Sequence, residues 1–253
     1  KFFKFILLKI TQSLSFKRAD GLIFLTEYAK EVILKQIGKV DGEIITIPHG
    51  INDRFKSSPR KSKDISHYSE STQFKMLYVS TIDEYKHQWK VIEAINILRS
   101  HGFPLSIDLV GSHYKPALKK LYKAIDFYDP ECKWITYHGL IDYQKLDKIY
   151  KSSDLGIFAS SCENMPIILL EKMASGLPIA SSNIGPMKEV LKNGGLFFNP
   201  EDPIEIAEII KHFLNSSELR NNKANISFRL ANQYSWSRCA NDTFSFIIDV
   251  GNK

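Results

Sequence analysis

The sequence predicts an α/β fold in which helices cover both faces of a doubly wound parallel sheet. Short β-branched or aromatic runs alternate with longer segments of helical period along most of the 253 residues. Two of the runs, Leu155-Gly-Ile-Phe-Ala159 and Pro178-Ile-Ala180, lack the alternation of a half-exposed strand, as strands buried on both faces should. Strands that alternate with helices are joined by right-handed crossovers, and such crossovers make the sheet parallel.

The individual elements follow from hydrophobic periodicity and from the turn residues between runs. The predicted strands are Gly21–Leu25, Ile44–Ile47, Phe74–Ser80, Leu105–Gly111, Trp134–His138, Leu155–Ala159, Pro178–Ser182 and Gly195–Phe197. The predicted helices between them include Trp89–His101, Pro116–Phe127, Tyr143–Lys151, Ile167–Ser175 and Pro203–Asn215. A final amphipathic helix is expected to start at a serine cap within Tyr234-Ser-Trp-Ser-Arg238.

One change of composition divides the chain. Residues 52–73 are polar, basic and rich in serine, which is typical of a linker or surface loop. They separate a fragmentary strand–helix–strand unit, residues 1–51, from a complete doubly wound domain, residues 74–233. The chain opens on Lys1 within a basic, apolar stretch, so we expect a piece of a longer protein. That stretch is interpreted as a helix that packs on a part absent here, or as a membrane-surface helix.

Composition excludes several classes of protein. With 43% hydrophobic and 25% charged residues, the chain is an ordinary globular protein rather than a disordered or fibrous one. Three cysteines with no C-x-x-C spacing exclude a disulfide scaffold and a zinc ribbon, and they favour a reducing compartment. The longest apolar runs fall short of the ~18 residues that a membrane-spanning helix needs.

The net charge of +6 favours an anionic partner, which could be nucleic acid, anionic lipid or a phosphorylated small molecule. The chain has no arginine-rich block and no aromatic RNA-binding signature, so no nucleic-acid partner is expected. A dinucleotide-dependent oxidoreductase would need G-x-G-x-x-G after a strand, and a serine hydrolase would need G-x-S-x-G. Neither motif is present.

The loop after the strand Leu155–Ala159 is the best candidate for a binding site, because ligands of parallel sheets bind beyond the carboxyl ends of the strands. Pro166 suits the first turn of the next helix, whose free N–H groups and dipole favour a phosphate. Glu163 and Glu171, with seven residues between them, are hydrogen-bond acceptors suited to sugar hydroxyls. The alternative is a capping acid and a surface glutamate. Gly176 is expected to be a left-handed helix cap.

The run Glu163-Asn-Met-Pro-Ile-Ile-Leu-Leu-Glu171, followed by Ala174-Ser-Gly-Leu-Pro178, resembles the E-x7-E signature of the retaining glycosyltransferases of family 4, the glycosyl transferases group 1. Weaker matches follow in the family's order from about Ala19 onward: Ile47-Pro-His-Gly-Ile-Asn52, Tyr78-Val-Ser-Thr81 with Lys86, Asp108-Leu-Val-Gly111, Tyr137-His-Gly139, Ser153-Asp-Leu-Gly-Ile-Phe158 and Gly195-Leu-Phe-Phe-Asn-Pro-Glu-Asp202.

The resemblance implies the GT-B fold, in which two Rossmann-like domains face each other. Residues 74–233 would be the C-terminal domain that binds the nucleotide-sugar donor. Residues 1–51 would be a remnant of the N-terminal acceptor domain with the crossover, and residues 234–253 a helix that crosses back to that domain. The implied activity is transfer of a sugar from a nucleotide-diphosphate sugar to a saccharide or lipid-linked acceptor with retention, in surface polysaccharide synthesis. The fragment alone would transfer poorly or not at all.

Two catalytic residues are carried over from the family. Lys86 would neutralise the donor diphosphate as the leaving group gains charge, and Glu163 would hold a hydroxyl of the transferred sugar. Glu171 would hold the ribose hydroxyls. The main chain of Met165, Pro166 and Ile167 would border the phosphates, and the turn His138–Leu140 would lie near the base. The full set of expected donor-binding residues is Glu171, Asn164, Met165, Pro166, Ile167, Thr81, His138, Gly139, Leu140 and Gly111.

No metal and no tightly bound cofactor is expected. No D-x-D pattern stands at a strand end, and in the family a lysine and a helix dipole serve in place of a metal. The expected location is the cytoplasm, where the basic, aromatic start of the chain fits peripheral contact with the inner face of the membrane.

The sequence departs from the family at one point. An arginine commonly follows a glycine in the phosphate loop, but these positions are Ser80 and Thr81 here. A compensating cation could come from His87 or Lys115. Two alternatives therefore stay open: a non-catalytic nucleotide-sugar-binding module or degenerate transferase, and an enzyme of the same fold that epimerises its sugar nucleotide.

Overall fold

The computed structural model describes residues 2–253, which form two compact units. One unit holds the residues up to Gly50 together with Tyr234–Lys253, and the other holds Ile51–Gln233. The elements follow one another as α1 (Phe2–Arg18), β1 (Gly21–Phe24), α2 (Glu27–Ile37), β2 (Glu43–Thr46), β3 (Phe74–Val79), α3 (Gln88–Ser100), β4 (Leu105–Val110), α4 (Lys115–Tyr128), β5 (Ile135–Tyr137), α5 (Leu146–Ser152), β6 (Leu155–Phe158), α6 (Ile167–Ala174), β7 (Ile179–Ser182), α7 (Met187–Leu191), β8 (Leu196–Phe198), α8 (Pro203–Leu214), α9 (Ser217–Ala231) and α10 (Trp236–Gly251).

The predicted fold class is confirmed. In the second unit six parallel strands lie in the order β5-β4-β3-β6-β7-β8, and helices pack on both faces. Helix α3 packs beside α4 and α8, whereas α6 packs beside α7 and α9. Each residue of β6 is buried, as expected for a strand covered on both faces.

The predicted strand and helix ends agree with the structure to within one residue, with one exception. The helix expected from Tyr143 starts with a 3-10 turn, Tyr143–Lys145, and α5 itself begins at Leu146. The last helix begins after Ser235, whose hydroxyl accepts a hydrogen bond from the main-chain N–H of Arg238.

The sheet has a topological switch point between β3 and β6. From β3 the chain runs outward to β4 and β5, then crosses to β6 on the other side of β3 and runs outward to β7 and β8. Ligands of open parallel sheets bind beyond the carboxyl ends of the strands at such a point. The expected phosphate loop after β3 and the E-x7-E segment after β6 therefore meet at this position.

The first unit contains two parallel strands, β1 and β2, with Gly21 opposite Glu43. Helix α10 lies against β1, where a side chain at Gly21 would press on Phe246 and Val250. Helix α1 carries several exposed apolar side chains, of which Phe3 is 86% and Phe5 67% exposed. No helix among residues 2–253 is long and apolar enough to cross a membrane.

Residues 52–73, which the sequence predicts as a linker or surface loop, form a strap along the second unit. Phe55 is fully buried, and the main-chain N–H of Ser57 donates to Ala174 O at 2.9 Å. Farther along, Tyr68 donates to Asp154 Oδ1 at 3.0 Å, and the buried guanidinium of Arg220 donates to the carbonyl of Lys63. The strap is thus attached to the turns and helix ends near the amino ends of the strands.

Gly176 ends α6 in the left-handed region at φ +71°, as predicted, and it also touches the strap. A Cβ atom here would lie 2.6 Å from Ser57 O and 2.7 Å from Pro59 N. Gly102 is a matched reference, because it too has a positive φ, +86°, but nothing lies within 4 Å of its Cβ position. The two glycines share the conformational requirement and differ only in the close approach.

We expect Gly102→Ala to lower the free energy of unfolding by about 1–2 kcal/mol, the cost of left-handed backbone in alanine. Gly176→Ala should lower it by about 1–3 kcal/mol more, because the strap must move to admit the methyl group. Urea unfolding, followed by the fluorescence of Trp89 and Trp134 in the second unit, measures both. Equal losses in the two variants would show that the strap does not press on Gly176.

Candidate functional site

Four neighbouring loops meet along the carboxyl edge of the sheet. The loop after β3 pairs with the loop after β4, where the N–H of Ile82 donates to Ser112 O at 2.8 Å. The loop after β4 pairs in turn with that after β5, where Gly111 N–H donates to Gly139 O at 2.8 Å. The loop after β6 is tied back to the β3 loop, because Ser161 N–H donates to Tyr85 O at 2.8 Å. These bonds hold the segments that contain the expected site residues in one row.

Gly111 is required by a close approach between two of these loops. Its φ is +145°, and a Cβ atom would lie 2.1 Å from the carbonyl oxygen of Ser80. Any side chain would push the β4 loop away from the segment Ser80–Thr81. The hydroxyl of Thr81 lies 3.2 Å from that of Ser112, so this pair of loops is also joined by side chains.

The side chains of Lys86 and Glu163, the two residues expected to be catalytic, form an ion pair. Lys86 ends a 3-10 turn, Glu84–Lys86, after β3, and Glu163 lies in the loop between β6 and α6. The lysine side chain is 7% exposed and the glutamate side chain 16%, so the pair is largely withdrawn from water while one side stays open. The Lys86 ammonium also lies 4.8 Å from the centre of the Tyr85 ring.

From within the core, Tyr78 binds both the turn that carries Lys86 and the end of β6, where the Glu163 loop starts. Its hydroxyl donates to the carbonyl of Lys86 at 2.6 Å and accepts from the N–H of Ala159 at 3.1 Å. The ring is buried, and this burial raises the pKa of the Tyr78 hydroxyl well above its usual range. The hydroxyl therefore stays protonated and donates steadily to the turn that carries Lys86.

His87 adopts a left-handed conformation, φ 51° and ψ 30°, which is unusual for a residue with a side chain. Its Nε2 lies 2.9 Å from the hydroxyl of Ser161, so the imidazole is a further link between the β3 and β6 loops. Burial lowers the pKa of His87 below its ordinary value of 6.5. This shift disfavours the charged imidazole and therefore weakens His87 as a source of the compensating positive charge.

Helix α6 starts at the same edge without a side-chain cap. Pro166 is its N-cap residue, one position before the first turn in which the sequence placed it, and the helix begins at Ile167. Helices α8, α9 and α10 differ, because Asp202, Ser216 and Ser235 cap their first N–H groups. Two N–H groups of this turn are already engaged, since Ile167 donates to Met165 O and Leu169 to Pro166 O, both at 2.9 Å, so the helix dipole is what chiefly favours an anion here. Met165 and Pro166 are buried, whereas Asn164 is exposed and Ile167 is half-buried.

Glu171 lies in the interior, 3% exposed, and accepts two hydrogen bonds from tyrosines. Tyr150 donates to one carboxylate oxygen at 2.9 Å and Tyr143 to the other at 3.2 Å. Burial raises the pKa of the Glu171 carboxyl, and the two tyrosine bonds oppose this effect. The interpretation of Glu163 as a capping acid and Glu171 as a surface glutamate is thus wrong on both counts.

The turn after β5 has a different character. His138 Nε2 lies 2.6 Å from Asp108 Oδ1, and Gly139 has a positive φ of +66° with open space around its Cβ position. The side chain of Leu140 is 80% exposed. This turn presents main chain and one apolar side chain to solvent, which suits a flat ring better than a charged group.

Sequence reasoning missed Lys172, the residue after Glu171. Its side chain is completely buried, and its ammonium nitrogen lies 3.3 Å from the carbonyl oxygen of Val79, the last residue of β3. Burial lowers the pKa of the Lys172 amine to about 7. Glu171 and Lys172 together interrupt the apolar run from Ile167 to Ala174, and this pattern does not show that Lys172 faces the sheet rather than solvent. Cys162, in the loop before α6, is exposed.

The structure thus brings Lys86 and Glu163 into contact and places Thr81, Gly111 and the turn His138–Leu140 on adjoining loops of the same edge. It does not place Glu171 against either member of the ion pair, since this carboxylate is held by tyrosines from the segment after β5. Among residues 2–253, no group of three or more histidine, cysteine, aspartate or glutamate side chains could hold a metal ion.

Comparison with family models identifies the chain. Residues 60–227, more than half of the chain, match the model for glycosyl transferases group 1. The chain belongs to this family. The match covers the whole sheet, from the strap to α9, and includes both the Lys86 loop and the E-x7-E segment.

The chain is similar to two curated O-antigen chain mannosyltransferases. It is 22% identical to mannosyltransferase B of Escherichia coli over 233 residues, which cover 91% of the chain and 61% of that protein. It is 22% identical to RfbU of Salmonella typhimurium over 211 residues, which cover 83% of the chain and 54% of that protein.

Among solved structures, the Anabaena protein HepE in complex with UDP and glucose matches with a TM-score of 0.80 at 19% identity. The match covers 95% of this chain and 66% of the HepE chain. It confirms the GT-B type of fold. The group 1 chain therefore spans between about half and two thirds of the length of these relatives.

The Lys86–Glu163 pair predicts a measurable energetic coupling. Lys86→Met and Glu163→Gln should each lower the free energy of unfolding by about 3 kcal/mol, because each leaves a largely buried charge without its partner. The double variant should lose much less than the sum of the two. Urea unfolding of the four proteins gives the coupling energy.

The exposed pair Lys90–Glu93, 3.1 Å apart and about one third exposed, serves as the matched control. The same cycle with Lys90→Met and Glu93→Gln should give a coupling below about 1 kcal/mol. If the two cycles give similar couplings, Lys86 and Glu163 do not form a desolvated pair.

Proposed function

We propose that this chain is the donor-binding part of a glycosyltransferase that moves a hexose from a nucleotide-diphosphate sugar to a saccharide or lipid-linked acceptor with retention of configuration. The proposal is supported above all by one observation. The Lys86–Glu163 pair lies at the carboxyl edge of the sheet, and Glu163 belongs to the loop that leads directly into the start of α6.

Lys86 suits the donor diphosphate. A lysine ammonium has three N–H donors, and Glu163 occupies one of them in the pair. The other two can reach a phosphate oxygen on the open side of the pair, while the positive end of the α6 dipole lies at the same edge. Both groups stabilise the negative charge that develops on the diphosphate as the glycosidic bond breaks.

Glu163 suits the transferred sugar. Its Oε1 binds Lys86, so its second carboxylate oxygen is left to accept a hydroxyl of the hexose. The ion pair holds this carboxylate in one orientation and thereby fixes the sugar relative to the phosphates. Glu171, farther along α6, is proposed to bind the ribose hydroxyls, with Tyr150 and Tyr143 holding it in place.

The relatives suggest which donor and acceptor to test. HepE was solved in complex with UDP and glucose, and the two curated relatives are named as O-antigen chain mannosyltransferases. We therefore propose UDP as the first nucleotide to test and a surface polysaccharide as the product. The acceptor would be bound mainly by residues outside this chain.

We expect UDP at a hundred times its dissociation constant to stabilise the chain by about 2.7 kcal/mol, seen as a rise in the thermal midpoint. GDP, ADP and CMP provide the comparison. Lys86→Met and Glu171→Gln should weaken UDP binding about tenfold or more, because each removes a charged contact. Lys123→Met, which removes an exposed charge from the third turn of α4, should leave binding unchanged.

The ribose contact has a sharper readout. Wild-type protein should bind UDP more tightly than 2′-deoxy-UDP, and Glu171→Gln should bind the two nearly equally. No stabilisation by any nucleotide, in a folded protein, would contradict the donor site.

In the full-length protein, Glu163→Gln should abolish sugar transfer while UDP still binds. Unchanged transfer would favour the non-catalytic alternative instead, and turnover of the sugar nucleotide without acceptor would favour the epimerase.

We also propose that the protein works at the cytoplasmic face of a membrane. The exposed apolar side chains of α1, among them Phe3, Phe5 and Leu7, are interleaved with Lys4 and Lys9. Such a helix can lie in the interface of an anionic bilayer.

We expect the chain to sediment with vesicles of phosphatidylglycerol and not with vesicles of phosphatidylcholine alone. Phe3→Ser with Phe5→Ser should abolish this binding, whereas Phe127→Ser, which changes an exposed phenylalanine of α4, should not. Equal sedimentation with both lipids would contradict the proposal.

A further inference from the structure

The buried lysine Lys172 points toward the proposed phosphate site from inside the protein. Side chains of a helix lean toward its N-terminus, so the stem of Lys172 runs along the sheet toward the carboxyl edge. Gly156 in β6 makes room for it, because a Cβ atom there would lie 3.1 Å from Lys172 Cδ. The amine ends beside the carbonyl of Val79, which directly precedes Ser80 and Thr81.

The groups in contact with the amine are one carbonyl oxygen and two aromatic rings. They can stabilise a cation, but they carry no negative charge that would neutralise it. Val79 O lies 3.3 Å away, and the ring centres of Phe158 and Tyr78 lie 5.0 and 5.7 Å away. No carboxylate within residues 2–253 is in ion-pair distance of this amine. A completely buried ammonium with these partners alone carries a high desolvation cost.

Four ionisable groups face the amine from the elements around it. They are Tyr78 of β3, Lys86 after β3, Glu163 before α6 and Glu171 of α6. Burial, with a smaller contribution from Lys86, lowers the pKa of the Lys172 amine to about 7, and Glu171 and Glu163 oppose this shift. Because this pKa lies near neutral pH, a new charge close by would change the protonation of the amine.

The donor site needs such a charge. Lys86 and Glu163 neutralise each other, and the lowered pKa of His87 disfavours its charged form. A nucleoside diphosphate carries two or more negative charges, so the site as described has no net charge to balance them. One further basic group lies beneath the end of β3, the amine of Lys172.

We propose that Lys172 is an internal counter-charge of the donor site, which takes up a proton from solvent when the diphosphate of the nucleotide sugar binds and gives it back when the diphosphate leaves. The proposal rests on the proposed donor-binding function. The step is a simple protonation, in which the neutral amine binds one proton to become an ammonium ion and no other bond changes. Lys172 acts through space from beneath the loop and is a positioning group, not a group that touches the donor.

The sign of the pH dependence follows from linkage. The anionic ligand raises the pKa of the amine from about 7, so the bound state holds more protons than the free state. The extra affinity is fully present below pH 7 and is lost as the pH rises through the pKa of the bound state. Between these two values, UDP affinity should fall by up to about tenfold per pH unit because of this group.

The test is isothermal titration calorimetry of the chain with UDP at pH 8, in two buffers with different ionisation enthalpies. We choose pH 8 because UDP is already fully ionised there. The wild-type protein should take up between about one half and one proton per UDP bound. Lys172→Met, which keeps the length of the stem, should bind UDP on the order of tenfold more weakly at pH 6.5 and show no such uptake. Lys123→Met should behave like the wild type.

Each outcome decides the matter. UDP binding without proton uptake, or with the same uptake in Lys172→Met, would overturn the role of Lys172 and leave the donor site intact. No UDP binding at any pH would overturn both proposals. If Lys172→Met does not fold, the proton uptake of the wild-type protein still gives the answer. The 13Cε resonance of this buried lysine in [13C]lysine-labelled protein then assigns it, and it should titrate near pH 7 and shift to higher pH with UDP.

Discussion

The ion pair between Lys86 and Glu163 joins the two loops on either side of the switch point of the sheet. A parallel sheet brings the carboxyl ends of β3 and β6 together, but it does not by itself fix the loops that follow them. Both side chains are largely buried. If the pair separated, each charge would keep its desolvation cost without the compensating attraction of its partner. Tyr78 reinforces this link from below, because its one hydroxyl binds the main chain of both loops.

The interior beneath this edge is unusually polar. Glu171, Lys172 and the hydroxyls of Tyr78 and Tyr150 lie among mostly apolar buried side chains. The carboxylate is satisfied by two tyrosines, but the amine has only one carbonyl oxygen and the faces of two rings. Polar groups that remain under-compensated in a core reduce stability, and proteins retain them mainly where function needs the charge.

The sequence was a good guide to elements and a poor guide to contacts between them. Buried strands, caps and glycine turns are local patterns, and they were sufficient to place Gly176, the Ser235 cap and the strands around the switch point. The spacing of seven residues between Glu163 and Glu171 also identified these two residues from the sequence. It could not show that Tyr143 and Tyr150 hold Glu171, because these partners are 28 and 21 residues away along the chain. Nor could it show that Lys172 faces the sheet, since a lysine is usually at the surface and only the room left by Gly156 permits this one to be inside.

The strap, residues 52–73, is a second feature whose packing could not be predicted from its polar composition. The polar, serine-rich composition of residues 52–73 predicts a linker or surface loop, yet Ser62 N–H donates to Asn221, Tyr68 donates to Asp154, and the carbonyl of Lys63 accepts from Arg220. This has a practical consequence for anyone who wishes to produce the nucleotide-binding half by itself. A gene that starts at the first strand, at Phe74, would remove the cover from the rings of Tyr143 and Tyr150 and leave the buried guanidinium of Arg220 without one of its carbonyl acceptors. A gene that starts at Ile51 and ends at Gln233 keeps all of these partners, and it is the boundary at which a soluble, crystallisable domain should be sought.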